Sequence, residues 1–293
     1  MEHRHLNHQD YSLAAIDDII ARGKREDWAD LADAAEADPE IARKIIRVCR
    51  AYVADPYKQR QRFWLRYTEE KLLPSGMKAD KQKALMLAKR QLPELVFDAV
   101  NLEGINMTLP EIQALLDGKV ISGHPLSDQE IALNQIEAWR QLFLWVENDQ
   151  FTLSAETACR LHAVAGKDEA LESGVFRSGS VTIAGTDYMP PGADQLPGLF
   201  EQMVEASQAY KDIYDLAIHV FLTMARCQFF YDVNKRMGRF MMNGILLQAG
   251  FSVINVPARR QLEFNRLMLA FYASGDQGPM NSFMRSCLEV GLN

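Results

Sequence analysis

Nothing in this 293-residue chain is organised for covalent or metal cross-linking. Its four cysteines, Cys49, Cys159, Cys227 and Cys287, lie far apart and form no CxxC pair, which argues against a zinc site and a disulfide framework. An excess of positive charge is also missing. With 32 Lys and Arg against 39 Asp and Glu, the formal charge is -7, so a general nucleic-acid binder is not expected, although a local basic patch can still hold a phosphate. No apolar run approaches the roughly 20 residues that a membrane span needs. The opening MEHRHLNHQDYS has no apolar stretch of the signal-peptide kind. The expectation is a cytoplasmic protein with free thiols and no membrane partner. There is no internal repeat and no low-complexity segment.

What is present is helical periodicity. Apolar spacing predicts helices near 12–22, 39–54, 57–71, 80–101, 154–165, 194–210, 212–227, 236–249, 257–273 and 278–289. Thr108-Leu109-Pro110-Glu111 is a capping box opening a short helix that stops near Gly118, and Ser127-Asp128-Gln129-Glu130 is a second one, heading a run to Val146. One stretch differs. Phe176 to Pro191 alternates β-branched with small and polar residues around a Gly-Thr-Asp turn, which predicts a short β-hairpin on an all-α body. Pro74-Ser75-Gly76 is the best break, separating an N-terminal helical region, 1–75, of unassigned role from a main domain, 76–293. Before it, Lys58, Arg60, Arg62 and Arg66 interleave with aromatics, as a partner surface or as a solvated helix face.

The segment from Gln228 to Arg239 carries the chemistry. A helix with apolar residues at Ile213, Leu216, Val220, Phe221 and Met224 gives way to QFFYDVNKRMGR, and a second helix follows to Gly250. A loop running into a helix presents unpaired backbone N–H groups and the positive end of the helix dipole. Lys235, Arg236 and Arg239 add three cations, which oppose that dipole and which a purely structural helix start avoids. Arg236 and Arg239 share a helix face, Gly238 permits a close approach, and Asp232 sits where a carboxylate can hold a magnesium ion beside phosphates. The residues point to nucleotide phosphates.

This string resembles the signature of the Fic family, H-x-F-x-D/E-x-N-G/K-R-x-x-R, with Phe230, Asp232, Asn234, Lys235, Arg236 and Arg239 in register. Gly174-Val175-Phe176-Arg177 is similar to the lead-in of the family's flap, and the likeness covers roughly 90–290. The resemblance implies a helical Fic/Fido fold with a β-hairpin flap, and transfer of AMP from ATP to a hydroxyl of a target protein. It places magnesium on Asp232 and the phosphates on Asn234, Lys235, Arg236, Gly238 and Arg239, with Arg239 toward the terminal one. It makes the flap at Ser180, Val181, Thr182 and Ile183 a docking strand for the target backbone. Many relatives dimerise, so a homo-oligomer is an open possibility with no interface specified by sequence.

The signature's first residue, a catalytic histidine, is Gln228 here. An amide is not basic enough to take the hydroxyl proton, and loss of a positioned base costs about 10²–10⁴-fold in rate. His219 is about 13 Å away along the helix with its side chain roughly opposed, and His162 lies on another helix. Three readings follow: an adenylyltransferase using a weaker base, such as Asp232 or an acid on the target; a catalytically silent ATP-binding regulator; or a phosphotransferase of the death-on-curing type, suggested by Lys235 but opposed by Gly238 and Arg239.

Asn101-Leu102-Glu103-Gly104 resembles the family's inhibitory motif, S/T-x-x-x-E-G/N, with Ala99 at the hydroxyl position. The resemblance implies that Glu103 pairs with Arg239 and blocks the terminal phosphate. Without it, Glu103 reads as a residue that caps a helix end or faces solvent.

Overall fold

In the computed structural model, residues 11–288 are described except 53, 54, 56, 77 and 78. The chain divides into two compact units, Met1–Lys78 and Ala79–Asn293.

The first unit holds α1 (Leu13–Arg22), α2 (Arg25–Ala37), α3 (Pro39–Arg50) and α4 (Gln59–Gly76). Ser12 caps α1 by accepting from the Ala15 N–H (3.2 Å), and Asp38 caps α3 by accepting from the Glu40 N–H (2.8 Å). The core gathers Ile16, Ile19, Ile20, Leu31, Ile45 and Trp64. Helix α2 falls where no helix was expected. Its buried face is thin, Trp28, Leu31 and Ala35 among charged residues and alanines, so propensity and not apolar periodicity marks it. The break expected at Pro74-Ser75-Gly76 lies inside α4, whose last turn it forms. Basic residues here serve packing: Arg60 donates to the Ala21 carbonyl (2.8 Å) and lies over Trp28, and Lys58 lies over Tyr52.

The second unit comprises α5 (Lys81–Arg90), α6 (Leu92–Leu102), α7 (Leu109–Leu116), α8 (Leu126–Glu147), α9 (Ala155–Ala165), α10 (Leu196–Ser207), α11 (Ile213–Cys227), α12 (Asn234–Gln248), α13 (Gln261–Ser274) and α14 (Gly278–Leu288). The expected 80–101 helix is two. Pro93 in the first turn of α6 has no N–H to continue α5, and the chain bends at Gln91. The Thr108 box forms as expected, with Glu111 reaching back to the Thr108 N–H (2.7 Å). The Ser127 box does not form: α8 begins at Leu126, and Pro125, held at φ -53° and ψ 149°, sets its start instead.

No strand forms among the described residues, so the expected hairpin at 176–191 is corrected. The segment turns at Ala184-Gly185, where Gly185 takes φ +84°, but Ser180 to Ile183 make no ladder. Its alternation survives as exposure: Ser180 and Thr182 are exposed, Val181 and Ile183 half-buried.

Helix α12 is the centre of this unit, buried on all sides from Arg236 to Leu247. Two glycines permit that packing. A Cβ on Gly238 would lie 2.9 Å from the Phe221 carbonyl oxygen of α11, and one on Gly244 would lie 2.3 Å from the Phe151 ring. The close approach at Gly238 is therefore made by a neighbouring helix. Because α12 is interior, Arg236 and Arg239 near its start are buried with it and require partners, while Lys235 is half-exposed.

Candidate anion-binding site

The loop between α11 and α12 is bounded by two left-handed residues, Gln228 (φ +50°) and Val233 (φ +65°). A β-branched residue at positive φ is strained by about 1–3 kcal/mol and persists only where its surroundings hold it. Here they do. Phe229 and Phe230 are fully buried, and Phe230 stacks on the His162 ring at 3.9 Å. Asn234 closes the loop from inside, accepting from the Phe230 N–H (2.9 Å) and donating to the Phe230 carbonyl (2.7 Å). Its side chain is thus committed to loop shape. The first N–H of α12 drawn into the helix is that of Met237, to the Val233 carbonyl (2.8 Å). Among the described residues, those of Asn234, Lys235 and Arg236 have no acceptor.

The three cations expected here come together, and each meets a carboxylate. Glu103, at the C-terminal end of α6, accepts from Arg239 Nη2 (3.1 Å) and lies 3.3 Å from Lys235 Nζ. Burial works to raise the Glu103 carboxyl, but the charges of Arg239, Lys235 and Arg236 outweigh it and hold its pKa below the usual carboxylate value. Burial lowers the Arg239 pKa while Glu103 pulls it upward, and the guanidinium stays charged. The Glu103 turn is itself tethered: Gln261 Nε2 donates to the Asn101 (2.8 Å) and Leu102 (3.2 Å) carbonyls. Arg236 is held by Glu169, a partner that sequence reasoning missed. Even so, the arginines are under-satisfied. Arg236 Nε and Nη1 and Arg239 Nη1 are buried without an acceptor.

Gln228 occupies its place by hydrogen bonds of its own. Its Nε2 donates to the Ala225 carbonyl (2.5 Å), and its Oε1 accepts from Asn234 Nδ2 (3.0 Å). Neither nearby histidine substitutes for a base. His162 is fully buried, accepts the Gly174 N–H on Nδ1 (3.0 Å), and burial pushes its pKa down to about 4. His219 is engaged with Gln277 (3.1 Å) against Tyr210.

Arg177 joins this loop to the flap. Only 2% exposed, it donates from Nε to the Gln228 carbonyl (2.5 Å), from Nη1 to the Gly179 carbonyl (2.6 Å) and from Nη2 to the Pro191 carbonyl (2.5 Å). Its backbone N–H donates to the Phe229 carbonyl (2.9 Å). One guanidinium therefore fixes both ends of the flap to the loop. The sequence offered the residue as part of a lead-in, without this role.

Between them lies a cavity of about 530 Å³. Asp232, Lys235 and Arg236 line its polar side, Thr182 and Ile183 reach it from the flap, and Asn265, Met268, Leu269 and Tyr272 come from α13. Ser180 and Val181 do not line it. Asp232 is exposed, with Oδ1 accepting the Val233 N–H (2.7 Å). No group of three His, Cys, Asp or Glu side chains is placed to hold a metal among the described residues.

Comparison with known proteins bears on the same region. Residues 152–246, which include the whole loop, match the model of the Fic/DOC family. Over 228 residues, the chain is 26% identical to a protein adenylyltransferase Fic of Drosophila persimilis, covering 73% of this chain and 43% of that protein. It is 27% identical to the one of Drosophila grimshawi over 72% of this chain and 44% of that protein. The chain thus spans less than half the length of these relatives. Among solved structures, Fic-1 from C. elegans superposes with a TM-score of 0.64 at 16% identity, covering 96% of this chain and 94% of that one. A Fic-domain signalling protein from Bacteroides thetaiotaomicron gives 0.61 at 18% identity, covering 77% and 92%. The all-helical architecture is that of these Fic structures, and residues 152–246 of the chain match the Fic/DOC family.

Proposed function

We propose that this chain is a Fic-type protein adenylyltransferase, binding ATP with magnesium between the 228–239 loop and the flap and held in check by Glu103. One observation carries the reading: Arg236, more than nine-tenths buried, retains N–H donors with no acceptor and lines a cavity of nucleotide size, and Arg239, deeper in α12 behind Glu103, keeps an unpaired Nη1 as well. A polyphosphate supplies acceptors to those donors and to the free N–H groups at the start of α12. Ile183, Met268, Leu269 and Tyr272 offer apolar walls for a base. Relatives named protein adenylyltransferase match 72–73% of this chain.

In the proposed reaction the oxygen of a target hydroxyl forms a bond to the α-phosphorus. The bond from that phosphorus to the bridging oxygen breaks, and pyrophosphate leaves. The hydroxyl proton passes to a carboxylate on the target, or to that of Asp232 if the ion is held without it. Asp232 fits a magnesium ion, since magnesium is commonly held by one or two carboxylates with phosphate oxygens and water. Bound there, the ion would neutralise charge on the phosphates. Ser180 to Ile183, with no backbone pairing to another described segment, would receive the target chain by strand addition.

A second reading, a catalytically silent ATP-binding regulator, is favoured by Gln228. Its amide is tied to Ala225 and Asn234 and supplies no base. The test is to incubate the Glu103→Gly protein in cell lysate with magnesium and ATP labelled on the α-phosphate. Denaturation-resistant label on a protein supports transfer. ATP binding without label supports the regulator, and no ATP binding by either form rules out both.

A further inference from the structure

Two ion pairs of the second unit differ in how fully they are built. Arg285 is held by Asp212 and Asp215 and also donates to Asn281 (3.2 Å), as a structural pair does. Among the described residues, Arg236 has one hydrogen-bonding partner, Glu169, reached through Nη2. Its Nε and Nη1 lack acceptors, and Glu169 Oε2 is likewise buried and unpaired. A one-point contact between a guanidinium and a carboxylate forgoes the bidentate geometry that makes such pairs strong, and a phosphate that takes the whole fork displaces it. Glu169 also has a way out. It lies in the turn after α9, and its side chain is 20% exposed, close to the 22% of Glu103.

We infer that Glu169 is a second carboxylate gate on this site, controlling Arg236 as Glu103 controls Arg239, so that the two acids together set which phosphate-chain lengths bind. The inference rests on the polyphosphate reading above. Arg236 stands in the first turn of α12 and Arg239 one turn further in, beside Glu103. A diphosphate that reaches Arg236 competes with Glu169 alone. A triphosphate whose last group reaches Arg239 competes with both acids.

Titration calorimetry with ADP and with ATP, on the full chain and its Glu103→Gly, Glu169→Gln and doubly substituted forms, tests this. Glu169→Gln is expected to tighten ADP and ATP alike by about tenfold, the scale of one charge-assisted hydrogen bond removed from competition. Glu103→Gly is expected to tighten ATP more than ADP, and the double form to gain both effects. A merely structural role for Glu169 would lower the melting temperature and leave the ADP-to-ATP pattern unmoved. If Glu169→Gln does not fold, Glu169→Asp keeps the charge with a shorter reach, and a smaller gain in both affinities is expected. Unchanged or weakened affinities in the Glu169 variants, alongside tighter ATP binding by Glu103→Gly, overturn the gate and leave the site reading intact. Absence of nucleotide binding in every form overturns both.

Discussion

The 228–239 loop and the 176–191 flap face the same cavity and are built in opposite ways. The loop is buried, strained at Gln228 and Val233, and closed on itself by Asn234. The flap is extended and half-exposed, and its middle makes no backbone hydrogen bond to another described segment. Rigidity is concentrated where phosphates would sit, and unpaired backbone is left where a second chain would dock. Arg177 allows the two to coexist, because it anchors the flap at its ends while its centre keeps its polar groups free.

The largest effect should come from completing the loop. Gln228→His in the Glu103→Gly background is expected to raise AMP transfer to a lysate or self target by about 10²–10⁴-fold. The residue is already left-handed at φ +50°, the hydrogen bonds to Ala225 and Asn234 are all that is lost, and α-labelled ATP provides the readout. No gain would mean that the loop departs from a catalytic arrangement in more than its first residue. Next is the connection itself. Arg177→Ala leaves the Gln228, Gly179 and Pro191 carbonyls short of a donor and should cost about 4 kcal/mol of stability in chemical denaturation. A loss below about 1 kcal/mol would show that flap and loop hold their shapes independently.

Acid should weaken the loop before the flap. His162, which supports Phe230, has a pKa of about 4 in the fold against 6.5 when exposed. Between those values only the unfolded chain binds the proton. Stability is therefore fully present above about pH 6.5 and falls by roughly 3 kcal/mol as pH drops toward 4. Glu103, whose pKa is lowered, loses its contribution in the same direction at still lower pH. Denaturant midpoints measured from pH 7.5 to 4.5 should fall less steeply in His162→Leu than in the parent. The smallest stability effect belongs to the flap. Thr182→Pro removes an N–H that bonds nothing among the described residues and should change stability by under about 0.5 kcal/mol, while reducing labelling of any target that docks by strand pairing.

Much of this was legible because it is local. The loop, the two helices it joins and the Thr108 cap follow from residues within a turn or two of each other. The Glu103–Arg239 pair spans 136 residues and was readable only through resemblance to a family. The failures have physical causes too. Helix α2 is marked by propensity more than by apolar spacing, Pro93 splits a periodic run, and the 176–191 alternation lacks a partner to pair with.

The sequence by itself determined a mostly helical chain in which one helix begins with three cations, and in which the loop leading into it starts with glutamine and no base. Tertiary structure decided what those cations meet. Glu169 reaches Arg236 across 67 residues, and Arg177 reaches Gln228 across 51. Helical periods and caps act over a few residues, whereas a buried guanidinium takes whichever acceptors packing brings to it. Only the folded chain shows which carboxylates and carbonyls those are.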